Sequence, residues 1–148
     1  MKRMALRSKG ESGTSLLEVL LVLVLVSVLG GIAFSLGTAT LDDYRLDRNA
    51  RLLLSDLRES REKAIAENVW QEIKVYPSVN MYRLLSAGQR VRDLTLATGI
   101  RFVSGPMDFY FDPRGIPSQG ETIILANQRG RSLRIILAPV TGRLRISP

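Results

Sequence analysis

The side chains that could do chemistry in this chain are carboxylates, Lys, Ser, Thr and Tyr, because its 148 residues include no His and no Cys. That composition excludes Ser-His and Cys-His nucleophiles, imidazole or thiolate metal ligands, and disulfides. The acids best placed for cation binding or acid–base work are Asp42, Asp43, Asp108 and Asp112. Asp112 precedes Pro113 as a turn residue does, and Asp42 with Asp43 is typical of a helix start. No Gly-rich phosphate loop or nucleophile elbow occurs, so the sequence predicts no enzyme, no cofactor and no metal site.

One further acid, Glu18, stands in an unusual place. It is the only charged residue in the apolar run 16–36, which reads LLEVLLVLVLVSVLGGIAFSL. A helix of this length is roughly 30 Å long, the thickness of the hydrocarbon core of a bilayer, and it lacks the polar face of a buried soluble helix. The basic segment MKRMALRSKGESG precedes it. Since positive charge before a first apolar segment stays in the cytoplasm, the sequence predicts a membrane-spanning helix with the remainder exported.

A carboxylate in lipid is costly, so it normally has a partner or a role. Glu18 lies near the start of the run, where partial solvation at the membrane surface is the simpler explanation. A secretory signal peptide cleaved among the small residues 33–39 is the alternative interpretation of the whole segment. It is disfavoured because the apolar run exceeds the usual ~7 to 15 residues.

The segment Gly13-Thr14-Ser15-Leu16-Leu17-Glu18-Val19 resembles the class III signal of type IV pilins and type II secretion pseudopilins. In that family a short basic leader ends in Gly, and Glu occupies the fifth position of the mature chain. The resemblance implies cleavage by prepilin peptidase between Gly13 and Thr14, N-methylation of the Thr14 amine, and an assembly role for Glu18, whose carboxylate would pair with the amine of a neighbouring subunit. Thr14 departs from the usual Phe, and Gly10 is a second Gly at the wrong spacing.

Beyond the apolar run, residues 41–68 are amphipathic. Apolar and small residues recur at helical spacing on one stripe, and charged residues occupy the opposite face. The stripe consists of Leu46, Ala50, Leu53, Leu57, Ser60 and Ala64, and the charged face carries Arg48, Arg51, Asp56, Arg58, Glu59 and Glu62. Read continuously, the two segments predict one helix from Thr14 to Asn68. Two helices joined near residues 37–40 are the alternative.

From residue 69 the hydrophobic period changes to two. Turn-forming residues separate eight predicted strands, at 69–76, 81–87, 90–96, 100–103, 108–111, 122–126, 132–138 and 143–146. Such short strands favour antiparallel sheets stacked on each other or on the helix. About 80 residues cannot build a large core alone, so we expect the helical stripe to complete it. Gly115 and Gly142 are expected to be turn residues with positive φ.

The β region also resembles one branch of the pilin-like proteins, the GspH/FimT type of minor pseudopilins and minor pilins. The resemblance is carried by Trp70, Tyr82-Arg-Leu, Gly99-Ile-Arg-Phe, Phe109-Tyr-Phe-Asp-Pro-Arg-Gly and Gly142-Arg-Leu-Arg-Ile. It implies an α+β, pilin-like fold in which a long N-terminal helix packs on a C-terminal antiparallel β domain. The expected organisation is a leader at 1–13, the transmembrane half of the helix at 14–40, its amphipathic half at 41–68, and a periplasmic β domain at 69–148.

This resemblance implies a structural function, that of a minor pseudopilin in the type II secretion pseudopilus, which exports proteins across the outer membrane. The chain would be processed by prepilin peptidase and held in the inner membrane by a single pass. Its β domain would lie in the periplasm. The implied partners are other major and minor pseudopilins and the inner-membrane assembly platform.

The second interpretation is a minor pilin of a type IV pilus that binds DNA during uptake. Residues 70–148 hold 11 Lys and Arg against 5 acids, and Arg129, Arg131, Arg134, Arg143 and Arg145 cluster late in the sequence. Phosphate binding needs such an excess. Gly142-Arg143-Leu144-Arg145 also resembles a GRxR pattern of DNA-binding pilins of the FimT kind, and a strand at 143–146 would place both arginines on one face. An ordinary solvated basic face is the preferred interpretation of this region.

Overall fold

The computed structural model of the protein describes residues 16–148, and for residues 32–39 it describes the backbone alone. Gly13, Thr14 and the rest of the predicted leader therefore lie outside the described residues. Contacts divide the chain into two compact units, with the boundary between Thr38 and Ala39.

The helical segments predicted from the sequence form one element, α1 (Leu16–Glu67), of 52 residues. The alternative of two helices joined near residues 37–40 is therefore wrong. In the first unit, the described side chains between Leu16 and Gly31 are exposed. Among the described residues, no helix has a stretch that is both long and apolar enough to cross a membrane. The predicted span, 16–36, extends into the residues whose side chains lie outside the description.

The helix ends at a local signal in the sequence. Asn68 has a φ of 55°, in the left-handed region that a residue just beyond a helix commonly adopts. The Val69 amide then donates back to the Ala64 carbonyl at 3.2 Å, which satisfies a carbonyl of the last turn. This pairing turns the chain out of the helix and toward the first strand.

Eight strands follow, and all eight were predicted from the sequence to within two residues at each end. They are β1 (Gln71–Tyr76), β2 (Met81–Ser86), β3 (Gln89–Thr95), β4 (Ile100–Phe102), β5 (Met107–Phe111), β6 (Glu121–Asn127), β7 (Ser132–Leu137) and β8 (Leu144–Ser147). A short 3-10 turn, Pro77–Val79, joins β1 to β2. The two-residue turn between β2 and β3 has positive φ at Ala87 and Gly88, which suits the twist of a tight hairpin.

The strands form two four-stranded sheets, in the orders β3-β2-β1-β5 and β4-β6-β7-β8. Every pairing is antiparallel, as expected. The inward residues of both sheets and the predicted stripe of α1 share one buried cluster. Leu46, Leu53 and Leu57 are fully buried in it, as are Phe111 and Leu125. The helical stripe therefore completes the core that the strands alone could not build.

Candidate functional site

The residues predicted to act in assembly lie in or before the first turn of α1. Glu18 is in that turn and its side chain is exposed. Gly13 and Thr14 precede the described residues, so the predicted cleavage and methylation positions stay predictions. Apolar side chains from Leu16 to Leu29 are exposed around Glu18.

Two of the late arginines hold a turn of the β domain against α1. Arg131 lies 3.7 Å from a carboxylate oxygen of Asp43 and 3.4 Å from one of Asp47. Arg129 lies 3.9 Å from Asp42. The expectation that Asp42 and Asp43 flank a helix start is wrong, because α1 continues through both. Their carboxylates instead face the basic β6–β7 turn.

Asn127 fixes the same turn from inside the protein. It is 1% exposed, and its side-chain oxygen accepts from the Arg129 and Arg131 amides at 3.1 and 3.0 Å. Its side-chain nitrogen donates to Asp43 at 2.8 Å. All the polar atoms of this buried amide are thus satisfied, and the turn that carries the two arginines is set by local geometry as well as by charge.

Arg143 and Arg145 differ from these arginines because neither guanidinium group has an acidic partner within the described part of the chain. Both side chains are exposed. Arg143 lies just before β8, the edge strand of its sheet, and Arg145 lies within it, paired in register with Ile136 of β7. The two arginines line a shallow recess of about 230 Å³ with Ile136 and Ala138. The structure therefore brings the predicted pair together on one face. Arg134 projects from the same outer face but does not line the recess, and its side chain donates to the Pro148 carbonyl at 2.9 Å.

Arg61 of α1 joins two glycine turns of the β domain. Its Nε donates to the Gly115 carbonyl at 3.0 Å and its Nη2 to the Thr141 carbonyl at 3.3 Å. Gly115 and Gly142 have the expected positive φ, at 75° and 63°. They also approach closely, since a Cβ on Gly142 would lie 2.6 Å from the Gly115 oxygen and 2.9 Å from Arg61 Nε. Glycine is thus required here for space as well as for φ.

A recess of about 370 Å³ opens beside this junction. Arg58, Arg61 and Glu62 of α1 line one wall, and the segment from Thr141 to Leu144 lines the other. The Arg58 and Arg143 guanidinium groups have no hydrogen bond or ion pair with any described residue. We call this recess, defined by Arg58, Arg61, Glu62 and Arg143, the arginine pocket.

The acids considered for catalysis are engaged elsewhere. Asp108 lies 3.2 Å from Lys74 on the outer face of its sheet. Asp112 has the expected turn role, and its carboxylate accepts from the Ile116 and Arg114 amides at 2.8 and 2.9 Å. The hydrogen bond from the Ile116 amide, followed by those from Arg114, lowers the pKa of Asp112 against the opposing effect of desolvation. The described residues contain no cluster of acids that could hold a metal ion.

Sequence reasoning missed a buried polar cluster. Asp56 was assigned to the charged face of the helix, but it is only 9% exposed. The Tyr82 hydroxyl donates to one of its carboxylate oxygens, and Arg92 donates to the other at 2.6 Å. Desolvation by burial, and then the hydrogen bond to Asp56, raise the pKa of the Tyr82 hydroxyl far above its ordinary value. The cluster ties α1 to β2 and β3.

The sequence carried only weak signals for these contacts. Nothing in the sequence showed that Arg92 of β3 would reach α1, and Arg61 lay in a segment rich in charge on every side. The glycine turns were identified, but their mutual approach depends on strand pairing that no local pattern reports.

Comparisons with known proteins extend over most of the chain, although no known family profile matches it. Type II secretion system protein H of Xanthomonas campestris pv. campestris is 29% identical over 146 residues, which cover 92% of this chain and 83% of that protein. Pilin-like protein PilA1 of Thermus thermophilus is 29% identical over 153 residues, which cover 90% of this chain and 97% of that protein.

Solved structures show the same fold at lower identity. The minor pseudopilin EpsH from the type 2 secretion system of Vibrio cholerae superposes with a TM-score of 0.59 and 13% identity, covering 70% of this chain and 96% of its own. The type IV minor pilin FimU of Pseudomonas aeruginosa superposes with a TM-score of 0.58 and 16% identity, covering 72% of this chain and 90% of its own. These likenesses confirm the expected pilin-like α+β fold and the resemblance to minor pseudopilins and minor pilins.

Proposed function

We propose that this chain, which shares its fold with minor pseudopilins and minor pilins, is a structural subunit of a type II secretion pseudopilus. One observation carries the proposal: the similarity to type II secretion system protein H covers 92% of the chain, and so includes both the apolar helix and the β domain. The protein thus acts by assembly with other pseudopilins rather than by catalysis.

The route into the filament follows from the N-terminal segment. Prepilin peptidase removes residues 1–13 after Gly13, and the new Thr14 amine is N-methylated. Residues 14–40 hold the precursor in the inner membrane, with the β domain in the periplasm, until the assembly platform transfers it to the filament. The exposed apolar side chains from Leu16 to Leu29 support this route, because lipid or neighbouring helices would have to cover so long an apolar surface.

Glu18 has a specific part in this step. Its carboxylate pairs with the Thr14 amine of the neighbouring subunit once the helices lie side by side. In a medium of low dielectric constant that attraction is strong, but desolvation of both charges offsets much of it. The pair therefore serves mainly to set the register between helices, and only a cleaved chain can form it.

The processing step is testable with a matched pair of glycine variants. Gly13→Val blocks cleavage, so the N terminus found by mass spectrometry of the membrane fraction is that of the uncleaved precursor. Gly10→Val, at the other glycine of the leader, leaves cleavage before Thr14 intact. Normal processing of Gly13→Val would refute the assignment, and so would an N terminus beyond residue 30 in the unaltered protein.

A specific observation favours one second candidate, a type IV minor pilin that binds DNA. Arg143 and Arg145 share a recess and lack acidic partners within the described residues. The test is a salt series of duplex DNA binding to the full chain in detergent micelles. If this function holds, affinity falls steeply with salt and is lost in the double variant Arg143→Ala, Arg145→Ala, while Arg101→Ala keeps it. Absence of binding at low salt removes this candidate.

A further inference from the structure

The arginine pocket brings like charges together from α1 and from the β domain. Arg58 and Arg61 of α1 face Arg143, which follows Gly142, and among the described residues Glu62 is the only acid that lines the recess. At the β6–β7 turn the arrangement is the reverse, since Arg129 and Arg131 meet three aspartates of α1. The folded chain therefore neutralises one set of arginines and leaves the other set in mutual repulsion.

The geometry of Arg61 keeps the charges of this pocket in place. Its two hydrogen bonds to the Gly115 and Thr141 carbonyls use two of the five N–H groups of a guanidinium. The remaining donors bond to no residue that the structure describes, and the side chain is already ordered by these two contacts. A carboxylate that enters the pocket meets this fixed group and the free guanidinium groups of Arg58 and Arg143, an arrangement suited to forked, charge-assisted hydrogen bonds.

We infer that the arginine pocket receives a carboxylate side chain of a different, acidic subunit in the same filament. The inference rests on the proposed function and names the kind of partner that this surface fits. A second copy of this chain is disfavoured because its formal net charge is +7. Duplex DNA is disfavoured because rows of phosphates need rows of cations, whereas here the Glu62 carboxylate lines the recess.

The position of the pocket on α1 agrees with a neighbouring subunit as the occupant. Arg58 and Glu62 belong to a helical stripe that the β domain leaves uncovered, together with Tyr44, Arg48 and Arg51. In a filament of parallel helices such an uncovered stripe faces the next subunit. A carboxylate from that subunit enters the pocket without any movement of the β domain.

The test uses a change that converts the contact into a covalent bond. Arg143→Lys places a primary amine at the pocket, and a carbodiimide joins such an amine to a touching carboxylate as an amide, with loss of water. The full chain carrying this variant is treated in its host membranes, and the linked peptides are mapped by mass spectrometry. We expect a link from position 143 to an Asp or Glu of another pilin-like subunit, and none from the matched control Arg101→Lys, which lies exposed on β4.

A second measurement guards against a misfolded variant. Arg143→Glu lowers the amount of chain recovered with the other subunits by about tenfold, as reversal of a paired charge does, while Arg101→Glu leaves it unchanged. Unfolding of both variants, followed by the fluorescence of Trp70, must match that of the unaltered chain. Equal recovery of both variants, or no link from position 143, overturns the inference.

Failure of the proposed function would look different. In that case the unaltered chain is not recovered with any pilin-like subunit, whatever the state of the pocket. If Arg58→Ala weakens duplex DNA binding by the full chain as strongly as Arg145→Ala does, DNA is the occupant and the inference of a carboxylate partner is wrong.

Discussion

Replacement of Gly142 by Ala tests how closely the two glycine turns approach. The φ of 63° places Gly142 in the left-handed region, where a Cβ costs about 1 to 2 kcal/mol. The Cβ would also lie 2.6 Å from the Gly115 oxygen, so the turns must separate. Overpacking of this kind adds about 1 to 3 kcal/mol. Gly88→Ala is the matched control, because its φ is 77° and nothing lies within 4 Å of the added Cβ.

The free energies of unfolding of the two variants are compared by urea denaturation of the full chain in detergent micelles. The single Trp of the sequence, Trp70, reports on the β domain, since its ring contacts Tyr110 with centroids 4.8 Å apart. Gly142→Ala is expected to lose about 1 to 3 kcal/mol more than Gly88→Ala. Equal losses would refute the reasoning, because φ alone would then account for both.

Three further changes address the core and its buried polar groups. Leu53→Ala removes a fully buried side chain and lowers the free energy of unfolding, measured by urea denaturation, by about 2 to 5 kcal/mol. Leu52→Ala, at a half-exposed neighbour, changes it by no more than about 0.5 kcal/mol. Similar losses in the two variants would contradict the assigned helical face. Tyr82→Phe removes the hydroxyl that donates to Asp56 and costs about 1 to 3 kcal/mol, and no loss in a thermal melt would show the bond to be dispensable. Asp112→Asn tests the pH dependence of stability. Because folding lowers the pKa of Asp112, its charged carboxylate stabilises the folded protein at pH values above the ordinary Asp pKa near 3.8. That contribution disappears as the pH falls through the lowered pKa. The difference in stability between the unaltered chain and Asp112→Asn is thus expected to be present at pH 7 and to shrink below about pH 4; a difference that does not change with pH would contradict the assignment.

The strands and the helical stripe were predictable because their signals are local. Alternation of apolar and polar residues marks each strand, and Gly, Pro or Asn marks the turns between them. The apolar stripe from Leu46 to Ala64 follows from helical spacing alone, and every member of it is buried. Local patterns of this kind hold where burial agrees with them, as it does along β1, β4 and β7.

The polar contacts were not predictable for a reason that Asp56 illustrates. Its partners Tyr82 and Arg92 lie 26 and 36 residues away along the chain. They reach it only because β2 pairs with both β1 and β3 in one particular register. A charged residue on the flank of a helix thus became buried through sheet pairing, which the spacing of residues within the helix does not report.

The charge distribution along α1 explains which arginines are free for a partner. The segment that carries Asp42, Asp43 and Asp47 lies opposite the β6–β7 turn, so the arginines of that turn are neutralised within the chain. The segment that carries Arg58 and Arg61 lies opposite the turn at Gly142, so the next arginine meets charge of its own sign. Repulsion of this kind opposes folding and is relieved when an anion binds. The basic excess of the β domain is thus not one uniform surface. At these two turns, the residues of the helix that the arginines face decide whether the arginines are neutralised, and the turn at Gly142 is where a partner gains by supplying a carboxylate.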